Sequence, residues 1–260
     1  MRKALVDWPI AGLILSMLVY GMTTSSVQAR NVSAVTELFY PYQVLDEDRQ
    51  LSGYAVEVVQ AMAKNLDDTL AIQILPWSVA YHHALETPDT LIFSMGKNDA
   101  RTPLFHWIGP IDREKLYFWA LNDDKLPRTN ALEAFRDLRI AVVKDATTDQ
   151  FLTRSGFTNL YRMASQESNV GEESRILMLI KGRADLMISG ERAMESALKA
   201  LSLPPDRLHK VYRAHVLDSE LYLAFVQGSD IKLVERYQRA FMQLKQSGTL
   251  AQLQAAWAID

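Results

Sequence analysis

Residues 94–111 read SMGKNDARTPLFHWIGPI and follow the apolar run Leu91-Ile92-Phe93. A cation, Arg101, comes just after an apolar strand, and Phe105, Trp107 and Pro110 follow it. A guanidinium beside an aromatic wall suits a small ligand that carries a carboxylate, because its planar fork matches two oxygens. It also suits a solvated loop arginine. A second group able to hold an anion stands at Thr147 and Thr148, which open a helix. The free N–H groups of a helix start favour negative charge, and threonine there also serves as an ordinary cap.

Other constellations point nowhere. His82 and His83 are adjacent, and adjacent helical positions lie about 100° apart, which is poor chelating geometry. No metal ligand set is read from the chain. GxSxG, HExxH and Walker patterns do not occur, and there is no cysteine to act as a nucleophile, to form a disulfide or to carry a lipid.

The elements that must position these residues alternate. Strands are expected at 35–40, 71–75, 91–95, 116–121, 139–143, 185–189 and 220–226. Helices are expected at 54–66, 173–182, 191–201, 231–246 and 249–257, with another starting at 147. Short apolar strands alternating with helices predict an α/β protein built on parallel sheet. The polar stretch NDDKLPRTN at 122–130 divides two strand–helix sets of similar length. Two such lobes leave a cleft between them, and ligands in such sheets sit at the carboxyl ends of strands, where Arg101 lies.

The first 29 residues read as a secretory signal peptide. Arg2 and Lys3 are positive, Ile10 to Val19 is apolar but for Ser16, and Val27 and Ala29 precede a cut before Arg30. That run falls short of the roughly 20 residues of a spanning helix. The expected product, residues 30–260, is soluble and periplasmic. Of the 28 basic and 31 acidic residues, Arg2, Lys3 and Asp7 lie in the leader, which leaves 26 against 30 and a net charge of −4. That balance gives no reason to expect nucleic acid or an anionic membrane as partner.

Four stretches resemble one family, the extracellular solute-binding proteins of family 3, the periplasmic amino-acid-binding type that serves ABC transporters. They are FYPYQVLDEDRQLSGYAVEVVQAMAK (39–64), LPWSVAYHHAL (75–85), SMGKNDARTPLFHW (94–107) and LKQSGTLAQLQAAW (244–257). The resemblance runs over nearly all of 36–257. It implies a type 2 periplasmic binding protein fold. Lobe 1 would hold 30–119 plus 225–260, lobe 2 would hold 120–219, and hinges would lie near 118–121 and 220–224.

The resemblance also implies a site. Arg101 would pair with a ligand carboxylate, and Tyr42 and Trp77 would wall the pocket. Ser94, Met95 and Gly96 would offer backbone groups, and Thr147 and Thr148 would take an anion. Two departures stand out. Gly190 occupies the place where family members that bind α-amino acids carry an acid for the ammonium group, leaving Glu191 as a substitute. In KDATT, the glycine that usually precedes the threonines is missing. The implied function is a monomeric, cofactor-free protein that delivers a small polar solute to an inner-membrane permease. A dehydratase on the same fold, with Glu191 as proton donor, and an orphan sensory binder are the alternatives. A lytic transglycosylase would need a second domain.

Overall fold

The computed structural model describes residues 29–122, 126, 129–163 and 171–259. The leader read over 1–29, apart from its last residue, lies outside them, as does part of the break at 122–130. Among the described residues no helix is long and apolar enough to cross a membrane.

The first sheet is built from β1 (Asn31–Thr36), β4 (Thr69–Ile74), β5 (Leu91–Gly96), β6 (Phe105–Glu114) and β12 (Ser219–Val226), in the order β4-β1-β5-β12-β6. Every residue of β5 is buried, as expected of a central strand covered on both faces. Its covering helices are α1 (Tyr54–Asn65), α2 (Trp77–Glu86), α6 (Ile231–Gln246) and α7 (Thr249–Ala256). In α6 the buried positions Leu233, Val234, Tyr237, Ala240, Phe241 and Leu244 form one stripe at helical spacing, and Asp230 caps the Lys232 amide at 2.9 Å. Between β1 and α1 lies the small hairpin of β2 (Val44–Leu45) and β3 (Leu51–Ser52).

The second sheet contains β7 (Leu116–Leu121), β8 (Ile140–Val143), β9 (Leu160–Met163), β10 (Leu186–Gly190) and β11 (Leu208–Arg213), in the order β11-β7-β10-β8-β9. Helices α3 (Thr147–Arg154), α4 (Gly171–Ile180) and α5 (Glu191–Ala200) belong with it.

Beside α2, β9 and β11, which the expected pattern does not contain, three features differ from it. Both sheets are mixed. β12 runs antiparallel to β5 and β6, and β7 runs antiparallel to β10 and β11, so the parallel pairs are confined to one part of each sheet. The aromatic stretch after Arg101 is a ten-residue strand, β6. Its Gly109, Pro110 and charged end hide the strand signal, and Pro110 is tolerated because β6 is an edge strand paired through irregular register. The strand expected at 35–40 is β1, which ends at Thr36. Phe39 to Gln43 fold into a turn instead, with the Tyr42 amide donating to the Phe39 carbonyl at 2.7 Å.

Because β6 and β7 are separated by Lys115 alone, the chain passes from the first sheet to the second there. It returns through 214–218. Residues 118–121 lie within β7 and 220–224 within β12, not at these crossings.

Candidate functional site

A cavity of about 100 Å³ lies between the two sheets. The first sheet's side supplies Trp77, Ser94, Gly96 and Arg101, the second supplies Thr147, Thr148, Glu172, Arg175 and Gly190, and Glu114 stands at the crossing.

Arg101 follows β5 by five residues and is only 1% exposed. Its guanidinium is stacked against two rings, with Cζ 5.3 Å from the centre of Trp77 and 4.8 Å from that of Tyr81. Nη1 donates to the Gly96 carbonyl at 2.8 Å and Nη2 to the Asp145 carbonyl at 2.7 Å. Nε is buried without a hydrogen-bond partner. Burial pulls the guanidinium pKa down to about 10, so the group stays charged at neutral pH. The expected solvated alternative for this arginine does not hold. The side chain is a buried cation at the rim of both lobes.

Asp145 is the other half of that junction. Its carbonyl also accepts from Trp77 Nε1 at 3.2 Å, and its carboxylate lies 3.4 Å from His82. Asn98 reaches Gln150 at 3.0 Å beside it. The residue sits in the left-handed region, at φ 62°, which aspartate tolerates better than most side chains. α3 starts two residues later. Its N-cap, Ala146, offers no side chain, so no cap competes for the N–H groups of Thr147 and Thr148. Asp149 in the first turn bends back to the Asp145 amide at 3.0 Å and pairs with Arg162 at 2.9 Å.

Six of the nine expected residues line this cavity: Trp77, Ser94, Gly96, Arg101, Thr147 and Thr148. The other three do not. Met95, expected to offer its backbone, is fully buried in the core against Trp77 and Phe105, while its neighbours Ser94 and Gly96 take the cleft face. Tyr42 is fully buried as well, and its hydroxyl donates to Asp112 at 2.5 Å. Glu191 is exposed and ion-paired with Lys210, away from the cavity. Consecutive residues leave the chain in different directions, so standing next to Gly190 does not put Glu191 in its place.

The cavity also contains charges that sequence reasoning missed. Arg175 is 5% exposed and donates to the Ile188 carbonyl at 3.0 Å. It is paired with Glu172, which also accepts from Ser189 Oγ at 3.2 Å. Four residues before Leu179, Arg175 stands on the buried stripe of α4, so periodicity held a signal for it. Glu114 was hidden at the end of the unrecognised strand. Burial, then the nearby Glu172 and Asp112 carboxylates, push its pKa up to about 8 against the opposing pull of Arg192 and Arg175.

Residues 32–260 match the family described as bacterial extracellular solute-binding proteins, family 3. The chain belongs to that family. The L-cystine-binding protein TcyJ of Bacillus subtilis (strain 168) is 23% identical to it over 235 residues, covering 88% of this chain and 84% of the relative. Two solved structures share the fold of this family-3 protein. One is a histidine kinase sensor domain with similarity to periplasmic binding proteins, at TM-score 0.76 and 18% identity, covering 88% of this chain and 96% of the other. The other is a putative L-cystine ABC transporter protein from Listeria monocytogenes, at TM-score 0.73 and 19% identity, with the same coverage.

Proposed function

We propose that this family-3 protein is exported through its leader, captures a small carboxylate-bearing, amino-acid-like solute between its lobes, and hands it to an inner-membrane ABC permease without chemical turnover. The observation that carries this reading is the buried Arg101, packed against the rings of Trp77 and Tyr81 at the cavity, facing the uncapped start of α3. A guanidinium and a helix N-terminus meeting from opposite lobes form a two-sided anion receptor. In the arrangement seen, Nη2 is satisfied by the Asp145 carbonyl. A solute carboxylate would take over that bond and use the unpartnered Nε, so Arg101 joins the lobes with or without cargo.

Hinge motion at Lys115 and 214–218 would open and close the clamp. The cystine-binding relative and the family fit an amino-acid-like cargo. The volume of the cavity favours a small one.

The test is calorimetry on a solute found by thermal shift. Arg101→Ala should weaken binding by about 2–5 kcal/mol, the usual cost of removing one partner of a desolvated charge pair. Unchanged affinity in a folded variant contradicts the clamp.

A further inference from the structure

The place where relatives by resemblance carry an acid is Gly190 here, and the structure shows what uses the space. A Cβ built on Gly190 would lie 2.3 Å from Oε1 of Glu114 and 3.1 Å from its Cδ. The volume of a side chain at 190 is therefore filled by the Glu114 carboxyl. It arrives from the last residue of β6 on the first sheet, while Gly190 ends β10 on the second. Both residues line the cavity with Arg101. We propose that Glu114 is the residue that receives the cationic group of the solute, and that it does so by proton exchange, so that capture of an ammonium-bearing solute expels a proton from the site. This deepens the functional reading above and rests on it.

Of the carboxylates that line the cavity, Glu37 acts on the Arg101 guanidinium, and the groups facing Glu114 leave it as the exchangeable acid. From α4 come Glu172 and Arg175, paired with each other, with Ser189 of β10 adding a hydrogen bond to Glu172. On β6 itself, Asp112 is held by Arg192 of α5 at 2.5 Å and by the Tyr42 hydroxyl at 2.5 Å. Each of these charges has its counter-charge. Glu114 makes no side-chain hydrogen bond or ion pair among the described residues, and with a pKa of about 8 it keeps its proton at neutral pH. An arriving ammonium favours the carboxylate. The carboxylic acid and the ammonium ion become an ion pair, and the acid's proton goes to solvent. Charge is conserved, and no other reactant is needed. The sign follows. Well below pH 8 each capture releases close to one proton, so affinity rises with pH; the release falls to about half a proton near pH 8, and above it affinity levels off. A fixed anion at this place would give no such slope.

Calorimetry between pH 6 and 9, in two buffers of different protonation enthalpy, tests this with four probes: L-glutamine, L-arginine and their desamino counterparts 4-carbamoylbutanoate and 5-guanidinopentanoate. The amino acid that binds should tighten close to tenfold from pH 6 to 7 and about fivefold from pH 7 to 8, and close to one proton should be released at pH 6. Its desamino counterpart should show neither effect. Glu114→Gln, nearly isosteric with the protonated acid, should lower amino-acid affinity at least tenfold at pH 8 and flatten the profile. Glu114→Ala combined with Gly190→Asp should restore the affinity, since the acid then reaches the same volume from β10. Equal binding of amino acid and desamino counterpart, or a Gln variant with wild-type affinity and slope, overturns the assignment and leaves the carboxylate clamp standing. Binding of none of the four probes, nor of L-cystine, overturns the amino-acid-like reading itself, and the assignment with it.

Discussion

At the scale of single residues the site is a set of charges held in a small space, and Glu114 has a consequence that needs no ligand. Its pKa is raised from 4.5 to about 8 on folding. The folded state therefore binds more protons than the unfolded chain between those values. The stability this group contributes is complete below about pH 4.5 and is lost as pH rises through about 8. Glu114→Gln should remove that loss. The melting temperatures of variant and wild type should diverge in the variant's favour from pH 5 to pH 9. Parallel curves would show that Glu114 is not held protonated. Residues of this kind were only partly legible. The place of Arg101 at the cavity was legible because a cation spaced from a strand end and an aromatic is visible in sequence. The place of Glu114 in the cavity was not, because it depends on Gly190, 76 positions away, leaving room for it. Tyr42 was misread because an aromatic next to a pocket and an aromatic in a core look alike until its hydroxyl partner, Asp112, is seen.

At the scale of elements, periodicity carried most of the information where a segment buries a clean face. β7 at 116–121 and α6 at 231–246 stand where their patterns put them. β6 did not, since Gly109 is there to admit the Phe241 ring, which a Cβ would meet at 2.2 Å, and no sequence window contains both residues. The start of α1 shows how closely local geometry is fixed. Gly53 has φ 120°, and a Cβ there would lie 2.5 Å from the Tyr42 carbonyl oxygen. That same oxygen accepts the amides of Ala55 at 3.0 Å and Val56 at 3.4 Å, so it cannot move away without releasing the first turn of the helix. Gly53→Ala should therefore cost about 2 kcal/mol or more, read as a drop of roughly 4–8 °C in melting temperature. A melt within 1 °C or so of wild type, on that conversion, would mean that the turn and helix start are looser than described.

At the scale of the whole molecule, a two-lobed arrangement follows from two crossings, at Lys115 and 214–218, and from side chains that reach over the gap. Arg192 on the second lobe binds Asp112 and Tyr42 on the first, at 2.5 and 3.0 Å. Asp112 has only 3% of its side chain exposed, so loss of its cation leaves a buried carboxylate behind and favours separation of the lobes. Arg192→Ala should enlarge the radius of gyration of the ligand-free protein in small-angle scattering. It should also weaken solute binding about tenfold, because part of the binding energy then goes into closure. An unchanged radius together with unchanged affinity would remove Arg192 from the account of closure.

The central claim is that the cavity recognises a carboxylate through Arg101 and the start of α3. Thermal shift of the purified protein with matched pairs, L-arginine against agmatine and L-cystine against cystamine, isolates that group, since agmatine lacks only the carboxylate of L-arginine and cystamine only the two carboxylates of L-cystine. Stabilisation by at least one amino acid is expected, about 2.7 kcal/mol at a hundredfold excess over Kd, and none by its amine, with the difference lost in Arg101→Ala. Equal stabilisation by amino acid and amine would contradict it.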